Sequence, residues 1–457
     1  MDYDIIIIGG GSAGYSAADT AQNAGAKVAI LDPGPLGGLC ILRGCMPSKA
    51  ILRSSEVMAL TARTQEFGLA PAATKANLSA IINRKNRLIG EFADYRISQL
   101  NNPRFDLIQE KGYFISPQEI QVGSKKLSAQ NFIIATGSII SDFPIPGLKE
   151  AGYITSDHAL EMREMPESMI VLGAGPVATE LAQFFCRIGV KVSLIQRSGH
   201  IFSSGDEDLA RPVEAQLREE GMNVYTSTSL NKFTRDGKLT TAHFTHEGLE
   251  KTVSAQTVLQ ALGRRANTDG LNLEAAGVEL NKGRVQVDLE MRTNQRHIFA
   301  VGDVNGVHEV VHTAIWQGEI AARNAILTDQ PAIQFEDYLK TNIAFTDPAV
   351  ASVGLTEKEC KAKNISYLAA SYPFDDHGKS MCLGETRGHV KLMCDPKTGQ
   401  IIGSHIVGPG AAEMIHELIA IMYFKGTVKD LAKIPHYHPT LSEILTYPAE
   451  ELADQLD

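Results

Sequence analysis

The sequence predicts an α/β protein with two Rossmann-like halves, because one pattern of strand, glycine turn, helix and strand occurs twice in its 457 residues. The first copy is the apolar run Ile5 to Ile8, the turn Gly9-Gly10-Gly11-Ser12-Ala13-Gly14, an alanine-rich helix-compatible stretch, and a second strand from Lys27 to Asp32. The second runs from Met169 through Gly173-Ala174-Gly175-Pro176-Val177-Ala178, an expected helix from Thr179 to Ile188, and a strand from Lys191 to Gln196. Eighteen positions separate Gly14 from Asp32, and eighteen separate Ala178 from Gln196.

Each residue of the first turn has a physical task. Gly9 makes the tight turn, Gly11 lets the backbone approach a pyrophosphate, and Gly14 lets helix and strand pack closely. The helix N-terminus offers unpaired N–H groups to the phosphates, and Asp32 lies where a carboxylate holds ribose hydroxyls. Gly173, Gly175 and Ala178 repeat the pattern, and two cradles imply two dinucleotides. The second lacks the closing acid and has Gln196-Arg197-Ser198 instead. A cation without a carboxylate favours a 2′-phosphate, hence NADP(H), but Ser203 and Ser204 add no second cation downstream, so NAD and NADP both stay open.

The composition, 44% hydrophobic and 21% charged, is that of a globular chain with room for two to four domains. A net charge of −10 with no long basic run argues against nucleic-acid or anionic-membrane binding. No apolar run reaches the ~18 residues of a membrane helix, and the first strand starts at Tyr3, so a cytoplasmic protein without a leader is expected. Six cysteines do not make a disulfide scaffold; Cys186, Cys360, Cys382 and Cys394 are scattered singly, and only Cys40 and Cys45 form a local pair.

That pair lies in Gly37-Gly38-Leu39-Cys40-Ile41-Leu42-Arg43-Gly44-Cys45-Met46-Pro47-Ser48-Lys49. Pro47 suits the first turn of a helix and Gly44 permits a turn before it, which leaves Cys45 at a helix N-terminus where the dipole stabilises a thiolate. Arg43 and Lys49 should lower the thiol pKa further. A structural disulfide, a zinc half-site and inert buried thiols are the competing readings; no metal site is expected. Two dinucleotides with a cysteine pair suggest a relay from nicotinamide to flavin to sulfur.

The segment resembles the GGTCxNxGCxPSK signature of the class I pyridine nucleotide-disulfide oxidoreductases, most like dihydrolipoamide dehydrogenase in a group that also contains glutathione reductase and mercuric reductase. Ala135-Thr136-Gly137, Leu262-Gly263-Arg264, Ala300-Val301-Gly302-Asp303, Phe345-Thr346-Asp347-Pro348, His405-Ile406-Val407-Gly408-Pro409-Gly410 and His438-Pro439-Thr440-Leu441-Ser442-Glu443 follow in the family's order. The resemblance implies FAD and NAD(P)(H) as cofactors. It makes Cys40 the interchange thiol and Cys45 the thiol stacked against the flavin. Asp303 would bind the ribityl chain, Lys49 would sit near the flavin N5 paired with Glu180, and Thr136, Gly137 and Gly263 would belong to the cofactor-binding set. It implies a homodimer in which His438, oriented by Glu443, serves Cys40 of the partner subunit; a histidine suits the movement of a thiol proton. His436 and His312 are expected to be structural or to support the site from behind its contacting residues.

The sequence departs from that pattern at Leu39, Leu42 and Arg43 in the cysteine loop, at Ala266, and at Gln317. Arg43 is expected either to shift the redox potential or to recognise an acidic partner. The expected organisation is an FAD-binding domain over 1–147, an NAD(P)-binding domain over 148–268, a return to the FAD domain over 269–338, and an α+β interface domain over 339–457. Residues Lys49 to Arg87 read as mostly helical.

Three functions follow. The first is dithiol/disulfide exchange like that of dihydrolipoamide dehydrogenase, serving a lipoyl-bearing carrier protein. The second is NADPH-driven reduction of another small disulfide or of a metal ion; mercuric reduction itself is not expected, because the sequence ends without paired cysteines. The third is a structural flavoprotein subunit of a multienzyme complex, against which the complete set Cys40, Cys45, His438 and Glu443 speaks.

Overall fold

The computed structural model describes residues 1–327 and 329–456, which fall into two compact units. The first comprises residues 1–47, 83–142 and 263–336. Its sheet runs in the order Asp106–Ile108, Val28–Leu31, Tyr3–Ile8, Lys125–Ile134, Glu119–Val122, Gly112–Ser116, and Ile298–Ala300 pairs with Lys125–Ile134 as well. The strands at its centre are parallel, with Ile5 opposite Val28 and Ile8 opposite Ile134. Ile5, Ile6, Ile7 and Ile8 are all buried, as a parallel strand covered on both faces requires, so the run is continuous and does not alternate. Helices Ser12–Asn23 and Val311–Ile326 pack together closely because Ala13, Ala17 and Gly318 are small; a Cβ on Gly318 would stand 2.4 Å from the Ala13 carbonyl oxygen.

The second unit comprises 48–82, 143–262 and 337 onward. It holds a parallel sheet in the order Asn223–Tyr225, Lys191–Ile195, Ser168–Leu172, Thr257–Gln260, and a three-stranded antiparallel sheet from Thr228 to Ala255. A five-stranded antiparallel sheet follows in the order Thr341–Ala344, Ala349–Gly354, Ile401–Gly408, His389–Cys394, Leu368–Pro373. Helix Ala411–Tyr423 buries Met414, Ile415, Leu418 and Met422 against it, residues at the three- and four-residue spacing of one helix face.

One boundary differs from the sequence reading, and the stretch 49–87, mostly helical as expected, is interrupted. The helix of the second turn is Pro176–Arg187, starting at the proline whose missing N–H costs nothing in a first turn. The stretch 49–87 is broken: helix Cys45–Ala62 and a short 3₁₀ turn Thr64–Phe67 end at Gly68, whose φ of 72° is left-handed. Helix Leu78–Leu100 then restarts where the Asn77 side chain accepts a hydrogen bond from the Ala80 N–H. Among the described residues no helix is long and apolar enough to cross a membrane, and no cluster of three or more His, Cys, Asp or Glu could hold a metal ion.

Candidate redox and dinucleotide site

The first glycine turn has the geometry its residues predict. Gly9 has a φ of 107°, and a Cβ there would stand 2.4 Å from the Ala135 carbonyl oxygen. A Cβ on Gly14 would stand 1.8 Å from the Gly9 oxygen, so only glycine lets the helix start this close to the strand. Gly11 faces open space except for the Gly38 Cα at 3.9 Å, room enough for a phosphate to reach backbone N–H groups. Asp32, just after Val28–Leu31, accepts hydrogen bonds from the Gly10 and Gly34 N–H groups, both at 2.8 Å, so its carboxylate braces the turn.

The cysteine loop rests on this turn. Gly38 has a φ of 76°, and a Cβ there would meet the Gly11 Cα at 2.8 Å. From Gly38 the chain forms the short helix Gly38–Arg43, which carries Cys40, and Cys45 is the first residue of helix Cys45–Ala62 with Pro47 in its opening turn. Cys45 is therefore at a helix N-terminus, as the sequence predicts. Gly44 serves close packing: a Cβ would lie 3.2 Å from the Cys40 Cα. Cys45 is exposed and Cys40 partly so, and Arg43 is exposed.

Thr136 and Gly137 hold the chain where it returns. The Thr136 hydroxyl donates to the Asn267 carbonyl at 2.6 Å, and the Asn267 N–H donates to Gly137 O at 2.9 Å. Asp303 accepts from the Ser138 hydroxyl at 2.6 Å, and Arg264, following Gly263, donates to the same hydroxyl oxygen at 2.8 Å. Gln317 accepts from the Gly302 N–H and the Asn305 side chain, while its own amide nitrogen is buried without a partner. Sequence reading missed Ser138; its place directly after Ala135-Thr136-Gly137 was the available signal.

In the second unit Gly173 repeats Gly9, with a φ of 96° and the Ala261 oxygen 2.6 Å from a notional Cβ, and Gly175 faces open space. Ala178 is fully buried at the helix start. Two turns with room at the middle glycine and a helix N-terminus behind it fit two dinucleotides. Two residues on from Ala178, the buried Glu180 accepts from the Lys49 ammonium at 2.7 Å through one oxygen and from the Phe345 N–H at 2.9 Å through the other. The ammonium also lies 4.4 Å from the Phe345 ring centre. Gln196 is tied by its backbone to Tyr225 and Thr228, which leaves Arg197 exposed at the strand end.

His438 and Glu443 meet as expected: Nδ1 is 3.0 Å from the carboxylate, the ring 79% exposed and the carboxylate 10%. A carboxylate only accepts, so Nδ1 carries the proton and Nε2 faces solvent as an acceptor. His436 bonds to Glu417 at 2.8 Å and to the Ile434 carbonyl.

The sequence pattern of the pyridine nucleotide-disulphide oxidoreductases matches residues 3–318, and the dimerisation domain of the same family matches residues 341–449. The chain belongs to that family. It is 35% identical to a mercuric reductase of Staphylococcus aureus over 98% of this chain and 82% of the relative. It is 32% identical to the dihydrolipoyl dehydrogenase of Geobacillus stearothermophilus over 98% and 96%. Among solved structures, LpdA of Mycobacterium tuberculosis superposes with a TM-score of 0.88 at 26% identity, covering 98% of this chain and 99% of that one. The flavoprotein disulfide reductase RclA of Escherichia coli superposes at 0.85 with 24% identity over 98% and 99%, a likeness of fold. The chain is thus an NAD(P)-dependent flavoprotein disulfide oxidoreductase, with the family's FAD and NAD(P), two dinucleotide-binding folds and a C-terminal antiparallel dimerisation domain. The identities alone do not separate a lipoyl from a mercuric substrate, and the mercuric reductase stands slightly higher.

Proposed function

We propose that this enzyme is a dithiol/disulfide oxidoreductase of the lipoamide type, working as a homodimer. The observation that carries the reading is the His438–Glu443 pair. Interconverting a dithiol and a disulfide moves a proton on and off sulfur at each exchange, which an exposed imidazole fixed in one tautomer performs. Reduction of a metal ion by thiolates has no such requirement, which weighs against the mercuric alternative.

In the dithiol-oxidising direction, His438 Nε2 takes the proton of one substrate thiol. That sulfur attacks Cys40 of the partner subunit, forms a mixed disulfide, breaks the Cys40–Cys45 bond and releases Cys45 as thiolate. The second substrate thiol, losing its own proton to solvent, closes the substrate disulfide and expels Cys40 of the partner subunit, which receives the proton held by His438. FAD and NAD(P)+ supply the two-electron sink when bound; the balance is dithiol plus NAD(P)+ giving disulfide, NAD(P)H and a proton. Gly9, Gly11, Gly14, Asp32, Thr136, Gly137, Gly263 and Asp303 would hold FAD. Gly173, Gly175 and Ala178 would hold the nicotinamide dinucleotide in the 148–268 domain.

A second reading, NADPH-driven reduction of another small disulfide, is favoured by Gln196 and the exposed Arg197 at the strand end. Steady-state turnover with dihydrolipoamide, offering NAD and NADP in parallel, tests both. Strong NAD reduction supports the lipoamide reading. No turnover with either, alongside rapid flavin reduction by NADPH, moves the assignment to the second.

A further inference from the structure

Glu443 has a second imidazole on its other oxygen. His377, wholly buried, places Nε2 3.3 Å from Glu443 Oε1, while Glu443 Oε2 faces His438. The His377 approach lacks the alignment of a hydrogen bond, and Nε2 is otherwise buried without a partner. The ring's other nitrogen lies 2.8 Å from the Ser380 hydroxyl, itself fully buried. These contacts assign the protons. The carboxylate can only accept, so Nε2 carries hydrogen, and Nδ1 then accepts from the Ser380 O–H. The ring is held by Phe374 and Tyr447, each edge-on at 6.3 Å. It precedes the helix Gly378–Leu383, so its orientation is set by elements distant in sequence from Ser442–Leu445, the turn that carries Glu443.

We propose that His377 is a positioning residue for the acid–base pair, so that the working unit is Ser380–His377–Glu443–His438. This rests on the reading of His438 and Glu443 as that pair. The His377 Nε2 stands 3.3 Å from Oε1, an electrostatic contact without hydrogen-bond alignment, which favours the carboxylate orientation that presents Oε2 to His438 Nδ1. A donor beside Oε1 shares the carboxylate's charge with His438, so its loss changes the pH profile of thiol exchange. The titratable groups around this carboxylate are His438 in its own loop, His377, and Tyr447 from the C-terminal helix. Asp376 and Glu450 act on that tyrosine.

The test is the rate at which dithiothreitol reduces the oxidised holoenzyme, followed by flavin absorbance against pH, which needs no knowledge of the natural substrate. His377→Phe fills the space without a donor. It should lower the plateau rate roughly tenfold and shift the acid limb of the profile. His377→Gln can offer an N–H toward Oε1 and should restore most of both. Flavin reduction by NADPH should stay at the wild-type rate in both variants. Ser380→Ala, which only frees Nδ1, should move the limb the same way by less, and remains informative should His377→Phe not fold. An unshifted limb in His377→Phe and Ser380→Ala, or a His377→Gln enzyme as impaired as His377→Phe, overturns the proposal. His438→Gln separates the underlying reading: if it reduces as fast as wild type, the acid–base assignment itself fails, and the role of His377 with it.

Discussion

Lys49 and Glu180 meet at 2.7 Å, a lysine about one-third exposed resting on a carboxylate that is almost wholly buried. The pair joins the helix that begins at Cys45 to the helix that begins at Pro176, and the second Glu180 oxygen holds the chain at Phe345. Removing the cation leaves a buried charge with one N–H for company. Because Lys49 is partly in water, Lys49→Met should cost about 1–2 kcal/mol, below the range for a fully buried pair. Glu180→Gln, which keeps an acceptor for Phe345, should cost less. Urea unfolding of the holoenzyme measures both, and equal stability of Lys49→Met and wild type contradicts the assignment.

Arg197 governs the choice of nicotinamide dinucleotide if the second cradle takes NADPH. Arg197→Glu should then raise the KM for NADPH by roughly 10- to 100-fold, the worth of a charge-assisted hydrogen bond, and leave that for NADH near its wild-type value. Equal effects on both cofactors would show that Arg197 does not touch the 2′ position.

His405 links stability to mild acid. Burial, reinforced by the Lys391 ammonium, pushes its imidazole down to about 4 from an ordinary 6.5. Between those values the unfolded chain binds a proton that the folded chain refuses, so stability falls as pH drops from 6.5 toward 4. The loss over that window should be about 3 kcal/mol. His405→Gln, able to donate to the Leu355 carbonyl that Nε2 meets at 3.0 Å, should flatten the slope in this range. Denaturation midpoints collected across the window decide it.

Gly14 and Ala178 occupy the same place in the two glycine turns and tolerate opposite changes. A methyl on Gly14 would enter the Gly9 carbonyl, so Gly14→Ala should cost roughly 1–3 kcal/mol and lower the flavin content of the purified protein. Ala178→Gly should cost about 1 kcal/mol or less and leave flavin content unchanged. The flavin-to-protein absorbance ratio reads out both.

The fold class and the parts of the site built from local sequence were legible in the chain. A strand, a left-handed glycine and a helix N-terminus are decided by residues within a few positions of one another, so Gly9, Gly11, Gly14 and their counterparts at Gly173 and Gly175 could be placed from spacing alone. The same holds for Cys45, put at a helix start by Gly44 and Pro47, whereas the pairing of His438 with Glu443, five positions on, follows from the family resemblance of the segment that carries both. The break at Gly68 was missed because alternating polar and apolar residues read as helix on both sides of it. What only the tertiary structure decided is which side chains from distant segments meet. Ser138 bonds to Asp303 165 positions away, and His377 reaches Glu443 across 66 positions. No periodicity records such pairings, because they arise where the packing of sheets and helices leaves a polar group buried. There the loss of water, not the neighbouring sequence, makes a partner necessary.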